Sequence, residues 1–248
     1  MSTTPSPTWI VPFKGRNSTG PTDLNFLWKS GNVYVMDNHR AAGWCWAQEI
    51  TAGVKHGLFH IDRHPDAFEN DLKQCVDSLP QGVPGNIDDY LTVSWVPTTG
   101  PSRDPIFVFR WDTYLPIHLA LNPGRVSPVF FATHREEQLP TAVTVTEIET
   151  GELLRAVEDE VEAHPIPWIM NVDLDYFFRT DGDNCVRFLG DDYLDRLSEA
   201  INRLNQAGKL TIITIALTAT EGLTNGWPEV EAMAERMCAI LGHTFKIP

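Results

Sequence analysis

The chain has 248 residues, 42% of them hydrophobic, which is enough for one large core. Its formal net charge of −14 argues against a nucleic-acid binder, whose affinity comes largely from Lys and Arg on phosphates, and suits a cationic partner. The opening MSTTPSPTW lacks a basic or apolar signal-like segment and no uncharged apolar run is long enough to span a bilayer, so a cytoplasmic protein without membrane contact is expected.

In chain order, residues 1 to 8 read as an irregular terminus, followed by strands over Val33 to Met36 and Gly57 to Ile61. The Pro/Gly-rich stretches 80 to 85 and 97 to 105 read as loops. Further strands are predicted at Ile106 to Phe109, Pro128 to Phe131, Pro167 to Val172 and Leu210 to Ala216, with a helix from Thr150 to Ala163 between them. The clearest helix is DDYLDRLSEAINRLNQAG, residues 191 to 208, where Leu194, Leu197, Ile201 and Leu204 share a stripe and Gly208 occupies the C-terminal cap. A last helix runs from Pro228 to Leu241, with Pro228 in its tolerant first turn. Strands of near-continuous hydrophobicity alternating with amphipathic helices predict an α/β fold, its mostly parallel sheet covered on both faces. There is no internal repeat or long linker, so a single domain over 1–248 is expected, and Cys45, Cys75, Cys185 and Cys238 lack CxxC spacing and read as reduced thiols.

Three predicted strands end in ionisable side chains. HIDRHPD (60 to 66) delivers Asp62, His64 and Asp66 at alternate positions, and Pro65 stops the backbone from continuing as a central strand; a solvated turn is the alternative. WIMNVDLDYFF (168 to 178) runs from apolar residues into Asp173 and Asp175, a carboxylate pair that is costly to desolvate unless a cation compensates it. VYVM then delivers Asp37 and His39. In open α/β sheets the C-terminal strand edge is where ligands bind. Four carboxylates and two imidazoles form an oxygen and nitrogen donor set suited to manganese, iron(II) or zinc, and their number favours two ions over one. His56, His60, His118, His134, His164 and His243 read as core or surface histidines, with His60 a possible donor behind the ligands, and most tryptophans read as core.

DRHPD resembles the DAHxD signature of the arginase and ureohydrolase superfamily, VDLDYF resembles its DxDxxD segment, and MDNH stands where GGDH stands in those enzymes. VMDNHRAA, HIDRHPD and NVDLDYFF together are most similar to the arginase-like peptide arginases, which convert arginine residues of ribosomally made peptides to ornithine. The resemblance implies a three-layer α/β/α sandwich and two manganese ions. Asp62 and Asp173 would bridge them, His39 and Asp66 would complete one site, and His64 and Asp175 the other. It also implies that Asp37 orients the His39 imidazole, and that Glu221 in ITIALTATEGLT binds the substrate's guanidinium, a helix-capping or exposed role being the alternative for Glu221.

No histidine occurs between His64 and His118, where arginases carry a proton-shuttle histidine. PGNIDDY faintly resembles that loop and would place Asp88 in the shuttle's position, although an acidic turn before a helix explains it equally; Asp66 is a second proton acceptor. The implied activity is urea release from an arginine-containing precursor peptide. A small-molecule ureohydrolase or amidohydrolase is the first alternative, and a non-catalytic metal-containing binding protein the second.

Overall fold

The computed structural model describes residues 6–98, 103–135, 137–182 and 184–248, so the expected irregular positions 1–5 and 99–102 lie outside the described residues. The first strands are β1 (Thr8–Val11), β2 (Leu27–Ser30), β3 (Val33–Met36), β4 (His56–Ile61), β5 (Ser94–Trp95) and β6 (Ile106–Phe107). They are followed by β7 (Val126–Ala132), β8 (Val145–Glu147), β9 (Trp168–Asp173), β10 (Phe178–Asp181), β11 (Asn184–Arg187) and β12 (Leu210–Ala216). The helices are α1 (Ala42–Glu49), α2 (Leu72–Asp77), α3 (Ile87–Thr92), α4 (Tyr114–Leu121), α5 (Leu153–Ala163), α6 (Asp191–Gln206), α7 (Glu221–Thr224) and α8 (Trp227–Ile240).

Eight strands form the central sheet in the order β1-β2-β3-β12-β9-β4-β7-β8. From β3 to β8 every pairing is parallel, and β1 and β2 add an antiparallel edge. Side chains alternate between two buried layers, as the period of a strand requires. Val33, Val35, Phe59, Ile61, Met170, Val172, Ile213 and Ile215 pack with apolar residues of α5, α6 and α8. Tyr34, Met36, Leu58, Ile169, Ile212 and Ala216 pack with α1 and α4 on the other face. The fold is therefore α/β, a mostly parallel sheet between two helical layers.

The stripe of α6 is buried as its spacing predicts, and Gly208 takes the left-handed φ of +70° that ends the helix. Gly57 is required for a different reason, since a Cβ there would collide with the Trp168 ring on the neighbouring strand. The run Ile106 to Phe109 is the exception among the predicted strands. Only Ile106 and Phe107 are extended, paired with β5 in a separate two-stranded ribbon, while Phe109 stacks on Tyr90 with ring centroids 3.8 Å apart. Its hydrophobicity thus serves packing among helices rather than a place in the sheet. The edge strands β1, β2 and β8 escape prediction because they are short and only partly apolar. No helix among the described residues is long and apolar enough to cross a membrane.

Candidate metal centre

Parallel register brings the strand ends together. Ile61 lies opposite Val172, and Ala216 lies opposite both Asp173 and Met36, so the residues that follow all emerge at one edge. Beyond β3, Asn38 caps a 3-10 turn by accepting from Arg40 N–H at 2.9 Å, and this sets His39 at the start of the turn. Asp173 does the same beyond β9, accepting from Asp175 N–H at 2.9 Å and placing the two carboxylates side by side. After β4 the chain is not extended. Asp62 accepts from His64 N–H at 2.6 Å, and Asp66 adopts a left-handed φ of +49°, so the three side chains converge through a turn rather than through strand alternation.

His39, Asp62, His64, Asp66, Asp173 and Asp175 are gathered in one place. His39 Nδ1 lies 2.7 Å from Asp173 Oδ2, 3.2 Å from Asp66 Oδ2 and 3.5 Å from Asp62 Oδ2. His64 Nδ1 lies 2.9 Å from Asp175 Oδ2 and 3.8 Å from Asp62 Oδ1. Asp62 and Asp173 are fully buried, and Asp62 is common to three groups of ligating atoms, with His39 and Asp173, with His60 and Asp66, and with His64 and Asp175. Thr218, just past β12 and itself strained at a φ of +44°, donates from Oγ1 to Asp173 Oδ2 at 2.5 Å.

Burial and mutual charge shift five groups, Asp62, His39, His64, Asp66 and Asp175. Burial, then the charges of Asp173 and Asp62, push the Asp175 carboxyl up to about 8. Burial and the Asp62 charge likewise hold Asp66 well above the usual carboxylate range. Burial opposes protonation of His64, yet its hydrogen bond to Asp175 and that carboxylate's charge raise it to about 9. His39 is raised well above its ordinary value against the same burial, by Asp66 and Asp173. Asp62 alone among the carboxyls is held low, because contacts with His39 and the neighbouring imidazoles outweigh its burial.

Three buried atoms in the cluster, His39 Nδ1, Asp62 Oδ2 and Asp175 Oδ2, make no well-directed hydrogen bond among the described residues, although imidazole nitrogen and carboxylate oxygen stand only 2.7 to 3.5 Å apart there. Orphaned lone pairs of this kind are costly unless a cation meets them. The donor atoms are oxygen and imidazole nitrogen with no thiolate, a set that fits two divalent ions such as manganese. His60 Nε2 also approaches Asp62 Oδ2, at 3.7 Å, but lies closer, 3.0 Å, to the His64 carbonyl oxygen.

The cluster forms the floor of a cavity of about 660 Å³, open to solvent, whose walls include Phe68, Glu69, Trp111, Asp112, Glu137, Leu139, Thr218 and Leu223. Three expected residues are placed elsewhere. Asp88 is exposed in the first turn of α3 and lines a different depression, so it does not reach the cluster; its sequence signal is that of a helix start capped by Asn86. Glu221 opens α7 on the exposed side while Leu223 faces the cavity, so the helix turns its carboxylate away from the lining. Asp37 is buried but accepts from Asn25 N–H, Asn25 Nδ2–H and Phe26 N–H at 2.8 to 3.0 Å, tying the loop before β2 instead of orienting His39. Conversely, Asn171 and Tyr114 adjoin the ligands and escape sequence reading, the only signal being a lone amide within the apolar run WIMNVD.

The sequence matches no protein-family model and no curated protein significantly. Among solved structures, the crystal structure of Helicobacter pylori arginase is similar to 84% of this chain and 70% of that one, with a TM-score of 0.41 and 12% sequence identity.

Proposed function

We propose that the protein is a dinuclear metal-dependent hydrolase that removes urea from arginine side chains of a peptide and leaves ornithine. The observation that carries this reading is the convergence of four carboxylates and two imidazoles, three of their buried atoms without a well-directed hydrogen bond among the described residues, on the floor of a solvent-open cavity. Asp62 and Asp173 would be shared by two manganese ions, with His39 and Asp66 completing one site and His64 and Asp175 the other. Bound together, two such cations supply Lewis acidity and lower the pKa of water towards neutrality.

The remaining steps belong to the chain's own side chains. Trp111, Phe68, Leu139 and Leu223 give the cavity apolar walls against which an alkyl stem packs. Glu137 and Asp112 place carboxylates on the same walls, and a planar guanidinium engages such groups through charge-assisted hydrogen bonds. Asp66 faces the cavity and is the group best placed to receive the proton released during attack. The net charge of −14 favours an arginine-bearing peptide drawn in at long range.

The test is urea release from an arginine-containing peptide, followed by mass spectrometry for ornithine, with manganese-loaded and chelator-treated protein compared. Free arginine and agmatine form the parallel arms. A higher specificity constant for either small molecule removes the peptide assignment, and absence of urea from all three substrates removes the hydrolase.

A further inference from the structure

Behind the ligands lies a chain of buried polar groups that the proposed chemistry does not use. Trp46 on α1 directs its indole N–H at Thr214 Oγ1 on β12, 3.2 Å away. Thr214 Oγ1 donates onward to Asn171 Oδ1 on β9 at 2.6 Å. The Asn171 amide nitrogen then branches, lying 3.1 Å from Tyr114 Oη and 2.8 Å from His60 Nδ1. Tyr114 Oη donates to Asp66 Oδ2 at 3.0 Å, and His60 Nε2 meets the His64 carbonyl oxygen at 3.0 Å. Thr214, Asn171, Tyr114 and His60 are all at most 1% exposed, so each must find its partners within the protein.

The direction of this chain follows from its two kinds of end. An indole N–H can only donate, and a carbonyl oxygen can only accept. Passing donors from Trp46 through Thr214 satisfies the Asn171 oxygen and leaves its two amide hydrogens for Tyr114 and His60. His60 therefore accepts at Nδ1 and carries its proton on Nε2, where it donates to His64. Turning the Asn171 amide round would set its NH2 against Thr214 Oγ1 and its oxygen against Tyr114 Oη and His60 Nδ1, which would take the Tyr114 hydroxyl hydrogen away from Asp66. The Tyr114 ring also packs on the His39 imidazole, with centroids 5.3 Å apart and planes tilted by 30°. It thus touches both residues assigned to one metal site, while the His60 branch reaches the backbone of a residue assigned to the other.

Resting on the dinuclear reading above, we infer that Trp46, Thr214, Asn171, Tyr114 and His60 form a one-way hydrogen-bond relay that positions the ligands, with Tyr114 holding Asp66 and His39, and His60 serving as a positioning residue and not as a ligand. Asp66 needs such support because it sits at a left-handed φ that a non-glycine residue adopts only when its surroundings enforce it.

Two measurements test this, one independent of metal. In the metal-free protein, ¹⁵N-resolved histidine NMR is expected to show His60 protonated at Nε2, and Asn171→Asp, which replaces the donor amide by an acceptor, is expected to shift the proton to Nδ1. Calorimetric titration with manganese(II) chloride is expected to show Tyr114→Phe weakening one of two binding events by about 10- to 100-fold, the range for loss of a group supporting a ligand, with the other unchanged. Tyr114→Phe keeps the ring against His39, so circular dichroism should show the parent fold. His60 protonated at Nδ1 in the parent protein, or unchanged manganese affinities in Tyr114→Phe, would overturn the relay. If the parent protein takes up no manganese, the dinuclear reading falls, and the His60 tautomer alone decides the relay.

Discussion

At the N-terminal end of β4, His56 Nε2 lies 3.0 Å from His118 Nε2, within a pocket walled by Trp46. Burial lowers the pKa of both imidazoles, and the presence of His56 helps to hold His118 down at about 3. Just beyond the C-terminal end of the same strand, His64 is also largely buried, yet Asp175 raises it to about 9. One residue type at the two ends of one strand is therefore shifted in opposite directions, and the deciding variable is the neighbouring carboxylate. Two neutral imidazoles satisfy one another through a single shared proton. Four carboxylates offer more acceptor oxygens than two imidazoles can satisfy, so that end has a reason to take up cations.

Disabling the carboxylate end should have the largest effect. Asp62→Asn and Asp173→Asn each remove a group assigned to both ions, so metal content by elemental analysis is expected to fall from roughly two per chain to near none, with urea release at background. His118→Gln, at the opposite end, should leave metal content unchanged. Full metal in both aspartate variants would refute the dinuclear assignment and erase the contrast between the two ends.

A smaller effect is expected on the cavity wall. Glu137→Gln should reduce kcat/KM on an arginine peptide by about tenfold, the lower end of what a charge-assisted hydrogen bond contributes, because this carboxylate is exposed. Glu221→Gln should change it by less than about twofold, since its side chain is not part of the lining. The reverse ranking would mean that α7 rearranges to bring Glu221 inward when substrate binds.

Much of the carboxylate end was legible in the sequence. Asp62, His64, Asp173 and Asp175 interrupt or terminate apolar runs, and a polar residue at that place in a buried strand demands an explanation. The alternation of those runs with helices also led to the parallel sheet. What escaped has a common cause. Asp88, Glu221 and Asp37 were assigned by local likeness to motifs, whereas their side-chain directions depend on how α3, α7 and the loop before β2 pack. The relay was invisible for the converse reason. Trp46, Tyr114, Asn171 and Thr214 come from four separate elements, each within an otherwise ordinary core stretch, and only the tertiary structure joins them. The His56–His118 pair was equally hidden, 62 positions apart in the chain.

Manganese uptake should expose the charge difference through pH. Metal ligation needs His64 and Asp175 deprotonated, and both are held above their ordinary values, so the pair must give up a proton when metal arrives. Apparent affinity should therefore rise as pH increases from 6.5 towards 9, by up to about tenfold per unit for each proton displaced. Calorimetry in buffers of different ionisation enthalpy would count the protons released. An affinity independent of pH would mean that the cluster is already deprotonated, contrary to the environment of these groups.

The smallest effect belongs to the N-terminal end, and it concerns stability rather than metal. An unfolded chain protonates His118 near the usual pKa of about 6.5, whereas the folded protein resists protonation until about pH 3. Between those values the unfolded state binds more protons, so ν_U − ν_N is positive and stability falls as the solution is acidified. The loss is absent above the unfolded pKa and accumulates at about 1 kcal/mol per pH unit below it. His118→Gln removes the titrating ring while keeping an amide that can hydrogen-bond His56, so its urea-unfolding stability should depend less steeply on pH between 6.5 and 4. Chelator-treated protein must be used for both parent and variant, because metal loss at the other end also destabilises in acid. Parallel stability–pH curves would show that His118 is protonated in the folded state, and the two ends of β4 would then no longer differ in the charge of their histidines.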